Sequence, residues 1–252
     1  MSIDSDLIRA FAPGDVLRVT INLGNALLAK QDDPTAGPYG VSVDLAHALA
    51  QDLGIGLELQ LFDGAGKAVE AVQEQRADLG FFAIDPLRGV GLHFTPPYVV
   101  IEGSYLVARD SPIRSNGDVD HPRHRVAVGR GSAYDLYLSR HLHQAQIVRA
   151  PTSAAVVDTM VEHGLDVAAG VRQQLEADAQ RVAGLRLLDG GFMRIHQAMA
   201  LPASRGRPAF DWLDAWLEAK KASGAIAALL TRHAVKGAAV AAPGYPSGLN
   251  FG

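Results

Sequence analysis

The feature of the sequence that most constrains its fold is a regular alternation of short β-rich runs with segments of helical spacing. A β-rich run over residues 16–21 is followed by apolar residues at helical spacing over 43–53, and then by a second β-rich run over 57–61. Two strands joined through a helix usually lie parallel in one sheet, because the helix carries the chain back to the edge where the first strand began. The pattern therefore predicts an α/β fold with a mainly parallel sheet.

The alternation is interrupted in the middle of the chain and then starts again. Residues 111–122 are polar and contain proline, after which we predict a strand over 125–128 and a helix over 133–143. This restart predicts a second lobe, so the fold class expected is α/β with two Rossmann-like lobes. The last stretch, residues 237–252, is rich in glycine, proline and alanine and is predicted to be a loosely packed tail.

The composition excludes several classes of function. The 252 residues are 48% hydrophobic, which is enough apolar side chain for a substantial core. The net charge of −4 provides no broad positive field, so neither a nucleic acid nor an anionic membrane is expected as a partner. No run reaches the roughly 18 apolar residues of a membrane span, so we expect no membrane insertion. Because the chain has no cysteine, disulfides, thiolate zinc sites and a cysteine nucleophile are excluded.

The N-terminal residues bear on where the protein acts. Asp4 and Asp6 stand where a secretory leader would carry lysine or arginine, and no unbroken apolar stretch with a cleavage site follows them. As written, the chain is predicted to be cytoplasmic. A chain from which a leader had been trimmed would instead be periplasmic.

Four histidines lie close together in the sequence, but they do not form a convincing metal site. His141 and His143 are two residues apart on a predicted helix and therefore point in different directions. We interpret these two, together with His121 and His124, as solvated side chains, and we predict no metal and no cofactor. Neither a Gly-x-Ser-x-Gly nor a His-Glu-x-x-His motif is present.

Arg88 is the first candidate for ligand binding. It follows a buried apolar strand predicted over residues 78–84, and the carboxyl ends of parallel strands are where such sheets bind ligands. The planar guanidinium donates two parallel hydrogen bonds to a carboxylate. Arg88 is therefore predicted to hold an anionic group.

The second candidate is a glycine turn between a predicted strand and the start of a helix, over residues 128–135. The free backbone N–H groups of a helix N-terminus favour negative charge, and Ser132 adds a hydroxyl. The alternative is that Ser132 only caps its own helix.

Taken together, five segments resemble the bacterial extracellular solute-binding protein family 3, which has the type II periplasmic binding fold and serves amino-acid ABC transporters. The resemblance covers the chain from Leu17 to about Val235. It implies two lobes, joined by two chain crossings, that close by a hinge on a ligand held in the cleft between them. Lobe one is expected to comprise residues 1–108 and 194–252, and lobe two residues 109–193. The matching segments are residues 39–50, residues 77–80 with Arg88, and residues 94–98, 126–134 and 164–169.

The resemblance also implies roles for particular residues. Arg88 matches the arginine that holds the carboxylate of the ligand, residues 131–133 match the turn that grips the same group, and Asn22 and Asn25 stand where side chains line the cleft. The ligand-binding residues expected are Arg88, Ser132, Gly131, Ala133, Asn22, Asn25, Ala83, Arg172, Glu102, Arg130 and Tyr134.

One departure from the family pattern concerns the charge of the ligand. Amino-acid binders of this family carry an acid for the ammonium group of the ligand near Val171, where this chain continues with Arg172. Because a cation repels an α-ammonium group, the departure favours a second anionic group on the ligand. Glu102 is the alternative source of the missing negative charge.

The leading hypothesis is therefore a monomeric, non-enzymatic solute-binding protein that captures a small organic anion, carboxylate or amino-acid-like, for an ABC transporter. One alternative is a lyase on the same fold that resembles cyclohexadienyl dehydratase and uses Glu102 or Asp85 as its general acid. The other is a cytoplasmic ligand sensor.

Overall fold

The computed structural model describes residues 3–244, and these residues form two compact units. Unit 1 comprises the described residues up to 100 together with those from 196 onward, and unit 2 comprises residues 101–195. The chain therefore passes from one unit to the other twice. Within residues 3–244 there is no helix whose length and apolar character would let it cross a membrane.

Unit 1 is a mixed sheet with helices. The strands are β1 (Val16–Asn22), β2 (Gly56–Phe62), β3 (Leu79–Ala83), β4 (Leu92–Phe94), β10 (Met193–Pro202) and β11 (Ala238–Val240), and residues 193–195 of β10 belong to unit 2. They lie in the order β2-β1-β3-β10, where β1 is parallel to β2 and β3, and β10 is antiparallel to β3 and β4. Five helices accompany these strands among the described residues. The helices are α1 (Ser5–Phe11), α2 (Val41–Leu53), α3 (Ala65–Gln73), α7 (Arg207–Ala222) and α8 (Ala225–Arg232).

The centre of unit 1 is β3. All five of its residues are buried, as expected for a strand that is covered on both faces, whereas the edge strand β2 alternates between exposed and half-buried residues. Phe82 of β3 packs with α3 residues such as Val72 and with β10 residues such as Ala198. A short 3₁₀ turn, Pro86–Arg88, begins three residues after the end of β3.

Unit 2 repeats the same construction. The strands are β5 (Val99–Ala108), β6 (Arg125–Gly129), β7 (Gln146–Ala150), β8 (Val167–Val171) and β9 (Leu185–Leu187), and residues 99–100 of β5 belong to unit 1. They lie in the order β5-β8-β6-β7, with β9 beside β5; β6 is parallel to β7 and β8, and β5 is antiparallel to β8. The core on one face of this sheet joins Val157 and Leu175, from two of the helices, to Leu106 and Ala168 of the strands. The helices are α4 (Ala133–His141), α5 (Val156–Glu162) and α6 (Arg172–Arg181).

Two sequence-based expectations can be compared with these bounds. We expected the lobe boundaries after residues 108 and 193, and the observed divisions lie after residues 100 and 195. The first division comes earlier than expected because β5 already pairs with β8 of unit 2 at Gly103. The tail prediction for residues 237–252 is wrong for β11, and Ala241 after it is buried, its amide donating to the carbonyl of Tyr98 at 3.1 Å. Residues 245–252 lie outside the described residues.

Candidate functional site

In unit 1 the predicted ligand residues lie at the carboxyl ends of parallel strands. β1 and β3 pair in parallel, with Thr20 opposite Gly80, so Asn22 and Ala83 end their strands at the same edge of the sheet. That edge is where open α/β sheets bind ligands.

The loop after β1 is held by its own polar groups. The Asn22 side-chain oxygen accepts a hydrogen bond from the amide of Gly24 at 3.0 Å, and the Asn22 carbonyl accepts from the amide of Asn25 at 3.2 Å. Gly24 is required here because a Cβ atom would lie 2.8 Å from the carbonyl oxygen of Asp63. The side-chain oxygen of Asn25 is buried and has no hydrogen-bond partner within residues 3–244.

Arg88 is held in position by the turn that follows β3. Asp85 caps this turn, since its carboxylate accepts from the amide of Leu87 at 2.9 Å and its carbonyl from the amide of Arg88 at 3.0 Å. Arg88 is only 5% exposed. Burial lowers the pKa of its guanidinium to about 10, while the negative charge of Asp85 acts in the opposite direction. Arg88 is therefore still a cation at neutral pH.

In unit 2 the corresponding edge is formed by the ends of β6 and β8. These strands are parallel, with Val128 opposite Ala169, so the turn after Gly129 and the end of β8 at Val171 lie side by side. β5 runs antiparallel to β8 and pairs Gly103 with Val171, so β5 enters the sheet at this edge. Residues from three strands thus meet there.

The N-terminus of α4 forms the turn at this edge. Ser132 caps the helix, because its hydroxyl oxygen accepts from the amide of Asp135 at 3.2 Å, as the capping alternative predicted. The Asp135 carboxylate in turn accepts from the amide of Gly131 at 2.9 Å, and Arg149 balances its charge through an ion pair of 3.0 Å. The Ser132 hydroxyl can still donate its hydrogen to an acceptor, and the amides of the first helical turn have no acceptor within the helix.

Arg172, the first residue of α6, contacts acceptors in its own unit. Its Nε lies 3.1 Å from Glu176, and its Nη1 lies 3.5 Å from Glu102, 3.3 Å from the Ser104 hydroxyl and 3.4 Å from the carbonyl of Gly190. Two carboxylates therefore surround this guanidinium.

Tyr134, in the first turn of α4, lies against β5. A Cβ atom on Gly103 would be 2.7 Å from the Tyr134 ring, so only glycine leaves room for it. The ring also makes an edge contact with Phe192, with centroids 5.9 Å apart. The Tyr134 hydroxyl is buried without a partner in the described part of the chain, and this burial raises its pKa well above the usual value.

The predicted residues thus divide between the two units, at or near the strand ends described above. Their role in ligand binding stays a prediction. Arg130 is exposed, and its amide donates to the carbonyl of Ala150 at 3.0 Å. The unit 1 group is Asn22, Asn25, Ala83 and Arg88. The unit 2 group is Glu102, Arg130, Gly131, Ser132, Ala133, Tyr134 and Arg172.

Two further residues at the unit 2 edge were not predicted from sequence. Gly103 pairs with Val171, and the side-chain oxygen of Gln173 is buried with no partner in the described residues. Nothing in the local sequence distinguishes Gly103, because the ring that requires it belongs to Tyr134. Gln173 directly follows a predicted residue and could have been found by following the helix one position further.

The histidines do not assemble a metal site. The rings of His121 and His124 are 5.0 Å apart, and Nδ1 of His124 lies 3.2 Å from the carbonyl of Val119. Across residues 3–244, no group of three or more His, Cys, Asp or Glu side chains is arranged to hold a metal ion.

Comparison with known proteins gives the same fold. The structure is similar to a putative binding component of an ABC transporter from Wolinella succinogenes complexed with lysine, with a TM-score of 0.75 and 22% identity over 87% of this chain and 95% of that one. It is also similar to an ancestral amino acid-binding protein that is a precursor of cyclohexadienyl dehydratase, with a TM-score of 0.74 and 24% identity over 90% and 99% of the two chains.

A third similar structure is a histidine kinase sensor domain with similarity to periplasmic binding proteins, with a TM-score of 0.77 and 20% identity over 90% of this chain and 98% of that one. No curated protein matches the chain. The sequence profile of the bacterial extracellular solute-binding proteins, family 3, matches residues 17–236, which is most of the chain. The predicted α/β fold and the predicted resemblance are confirmed: this chain belongs to the bacterial extracellular solute-binding proteins, family 3.

Proposed function

We propose that this protein is the substrate-binding component of an ABC transporter and captures a small molecule through its carboxylate group. Family membership and the similarity to a transporter binding component complexed with lysine support this role. Closure of the two units on the ligand is part of the proposal. The observation that carries it is the buried, positively charged side chain of Arg88 at the carboxyl end of β3.

A buried cation is costly unless negative charge compensates it. Asp85 lowers that cost, and its carboxylate is also used to cap the turn. A ligand carboxylate would add two charge-assisted hydrogen bonds to the guanidinium, which are the strong kind. We therefore assign the carboxylate of the ligand to Arg88.

The turn at residues 131–133 is the proposed second contact. The internal carboxylate near it, Asp135, is balanced by Arg149, so it does not leave a net negative charge against an anionic ligand. We propose that the Ser132 hydroxyl and the first amides of α4 donate hydrogen bonds to the anionic group of the ligand.

The lyase alternative has less support. A general acid must be free to transfer a proton. Of the two candidates, Glu102 is paired with Arg172 at 3.5 Å, and Asp85 caps the Arg88 turn. Incubation with prephenate or arogenate, followed by detection of an aromatic product, tests for the lyase.

The sensor alternative rests on the similar histidine kinase sensor domain. Members of the family are described as extracellular, so we propose action outside the cytoplasmic membrane, contrary to the cytoplasmic expectation from the N-terminal residues. Separating host cells into cytoplasmic and periplasmic fractions, and detecting the untagged protein in each, tests which location is correct.

The binding proposal is tested by a thermal-shift screen of carboxylates, amino acids and neutral analogues. A ligand at about 100 times its dissociation constant adds roughly 2.7 kcal/mol, which corresponds to about 5 to 10 °C in Tm for a chain of this size. Arg88→Ala should abolish the shift, whereas Arg207→Ala, which removes a highly exposed arginine, should retain it. Equal shifts in both variants would disprove the assignment of Arg88.

A further inference from the structure

We propose that Arg172 is a positioning residue that joins the two crossing segments of unit 2 and so limits how freely the two units move before they close. The crossing segments are residues 101–105, which follow the first passage of the chain between the units, and residues 188–195, which precede the second. The inference rests on the proposed function and adds to it a residue that controls closure without contacting the ligand.

The two crossing segments run beside each other in opposite directions. The amide of Leu188 donates to the carbonyl of Tyr105, and the amide of Phe192 donates to the carbonyl of Gly103, each at 2.9 Å. Between these two bonds, residues 189–191 stand opposite a single residue of β5 and therefore bulge out of the pairing. The position of this bulge depends on the side chains that contact it.

A single nitrogen of Arg172 contacts both crossing segments. Its Nη1 lies 3.5 Å from the Glu102 carboxylate and 3.3 Å from the Ser104 hydroxyl in the first segment, and 3.4 Å from the carbonyl oxygen of Gly190 in the bulge. The Ser104 hydroxyl is itself 3.5 Å from the Gly190 carbonyl. Nε of Arg172 lies 3.1 Å from Glu176, one turn further along α6, which orients the guanidinium on its helix. Arg172 therefore links the start of α6 to both segments.

Gly191 lets the bulge lie against the carboxylate that Arg172 contacts. A Cβ atom on Gly191 would be 2.5 Å from Oε1 of Glu102, so any larger residue would displace that carboxylate. The backbone of Gly191 is outside the left-handed region, and alanine can therefore adopt it. Gly191→Ala thus breaks the same link from the side of the second segment.

The link lies on the face of the unit 2 sheet that is opposite to the α4 turn. Gly170 pairs with Ser104, and a Cβ atom on Gly170 would be 3.6 Å from Leu175 of α6, so α6 covers the face to which Ser104 projects. The ring of Tyr134, in the first turn of α4, lies against Gly103 on the other face. The guanidinium is therefore not assigned to the anionic group of the ligand.

Loss of the link should give the crossing segments more conformational freedom in the ligand-free protein. Closure on a ligand removes that freedom, so binding would carry a larger entropic cost while the contacts of the ligand stay the same. The three contacts of Nη1, at 3.3 to 3.5 Å, are at the long end of the hydrogen-bond range. We therefore expect effects of several-fold and not of orders of magnitude.

The first test is hydrogen–deuterium exchange of the ligand-free protein, followed by mass spectrometry. Arg172→Met keeps an unbranched side chain but removes its donors, and water can solvate Glu102 because that side chain is partly exposed. Exchange should become about five-fold or more faster in peptides covering residues 188–195. Gly191→Ala should have the same effect, and the double variant should exchange no faster than either single variant, because both substitutions break one link.

Arg125 provides a matched control in the same unit. Its guanidinium likewise contacts a carboxylate and a backbone carbonyl, those of Asp166 and Gly164, but at the other end of β8. Arg125→Met should therefore leave exchange in residues 188–195 unchanged.

The second test is a calorimetric titration with alanine, phenylalanine and propionate, each beside its primary amide. The acid that binds wild type most tightly should bind Arg172→Met about three- to ten-fold more weakly, with the loss in the entropy of binding. Its preference over the amide should stay within about two-fold of wild type. A purely structural role for Arg172 would leave the affinity unchanged.

The outcomes separate the two proposals. Unchanged exchange of residues 188–195 in Arg172→Met, or unchanged affinity despite faster exchange, would overturn this inference alone. A large fall in the preference for the acid would also overturn it, because Arg172 would then contact the carboxylate. Failure of every acid to bind wild type would overturn the proposed function and the control of closure with it, while the exchange measurement, which needs no ligand, still decides whether Arg172 joins the two segments.

Discussion

Asp78 gives the sharpest prediction for stability, because it is a fully buried carboxylate shared by two arginines. Its oxygens accept from the Arg18 amide at 3.0 Å, from Arg18 Nε at 2.9 Å and from Arg205 Nη2 at 2.7 Å. The Arg205 side chain is only 8% exposed. Replacing Asp78 with alanine would leave the buried Arg205 charge uncompensated. Breaking a buried ion pair in this way costs about 3 to 5 kcal/mol.

Unit 2 contains a matched control. Asp166 stands just before β8 as Asp78 stands just before β3, and it accepts from the amide of Arg125 at 2.7 Å. The side chain of Asp166 is 37% exposed, however, so water replaces the lost interactions. Asp166→Ala should therefore cost about 1 kcal/mol.

The assay is urea unfolding followed by far-UV circular dichroism, which reports on both units, and by tryptophan fluorescence. The only tryptophans of the chain, Trp212 and Trp216, lie on α7 and therefore report on unit 1. Asp78→Ala should move the unfolding transition to a clearly lower urea concentration in both signals, and Asp166→Ala should shift the circular dichroism transition by the equivalent of only about 1 kcal/mol. A loss below about 1 kcal/mol for Asp78→Ala, or equal shifts in the two variants, would refute the reasoning.

Three other predictions concern a close contact, a pKa and the ligand. Gly103→Ala should lower the Tm by an amount equivalent to about 1 to 3 kcal/mol because its Cβ would lie 2.7 Å from Tyr134, whereas Gly117→Ala, with its nearest atom at 3.7 Å, should change it little. The pKa of Asp52 is lowered by hydrogen bonds first from Lys220 and then from Trp216, so its contribution to stability is complete above the unfolded pKa and is lost as the pH falls through the folded value. Asp52→Asn should therefore flatten the acid side of the curve of unfolding free energy against pH, and an unchanged curve would contradict this. Val171→Asp should raise the affinity for an amino acid relative to its hydroxy analogue in calorimetric titrations, and an unchanged ratio would show that Val171 does not face the ligand.

The features that the sequence predicted are those set by residues close together in the chain. The alternation of strands and helices indicated the two-lobed α/β class, and Arg88 and Ser132 were found because a strand end and a helix cap each have a signature within a few residues. Both residues lie where those signatures predict, at the ends of β3 and β6.

Other features depend on residues that are far apart in the sequence. Asp78 and Arg205 are 127 positions apart, and Arg172 and Glu102 are 70 apart, so only the folded sheet brings each pair together. From its own position in the sequence, Arg172 was expected to present its positive charge to the ligand. Its contact with Glu102 was invisible before the register of β5 and β8 was known, whereas Glu176, four residues further along the same helix, could have been found from the spacing.

The most direct test of the account compares a carboxylate ligand with its neutral primary amide, measured by calorimetry on the wild type and on Arg88→Gln. The account predicts that wild type binds the acid about 10 to 150 times more tightly than the amide, as expected for hydrogen bonds to a charged group. In Arg88→Gln this preference should fall about ten-fold or more, with the remainder due to the proposed contacts of the turn at residues 131–133. An unchanged preference for the acid in Arg88→Gln would contradict the claim that this guanidinium holds the carboxylate.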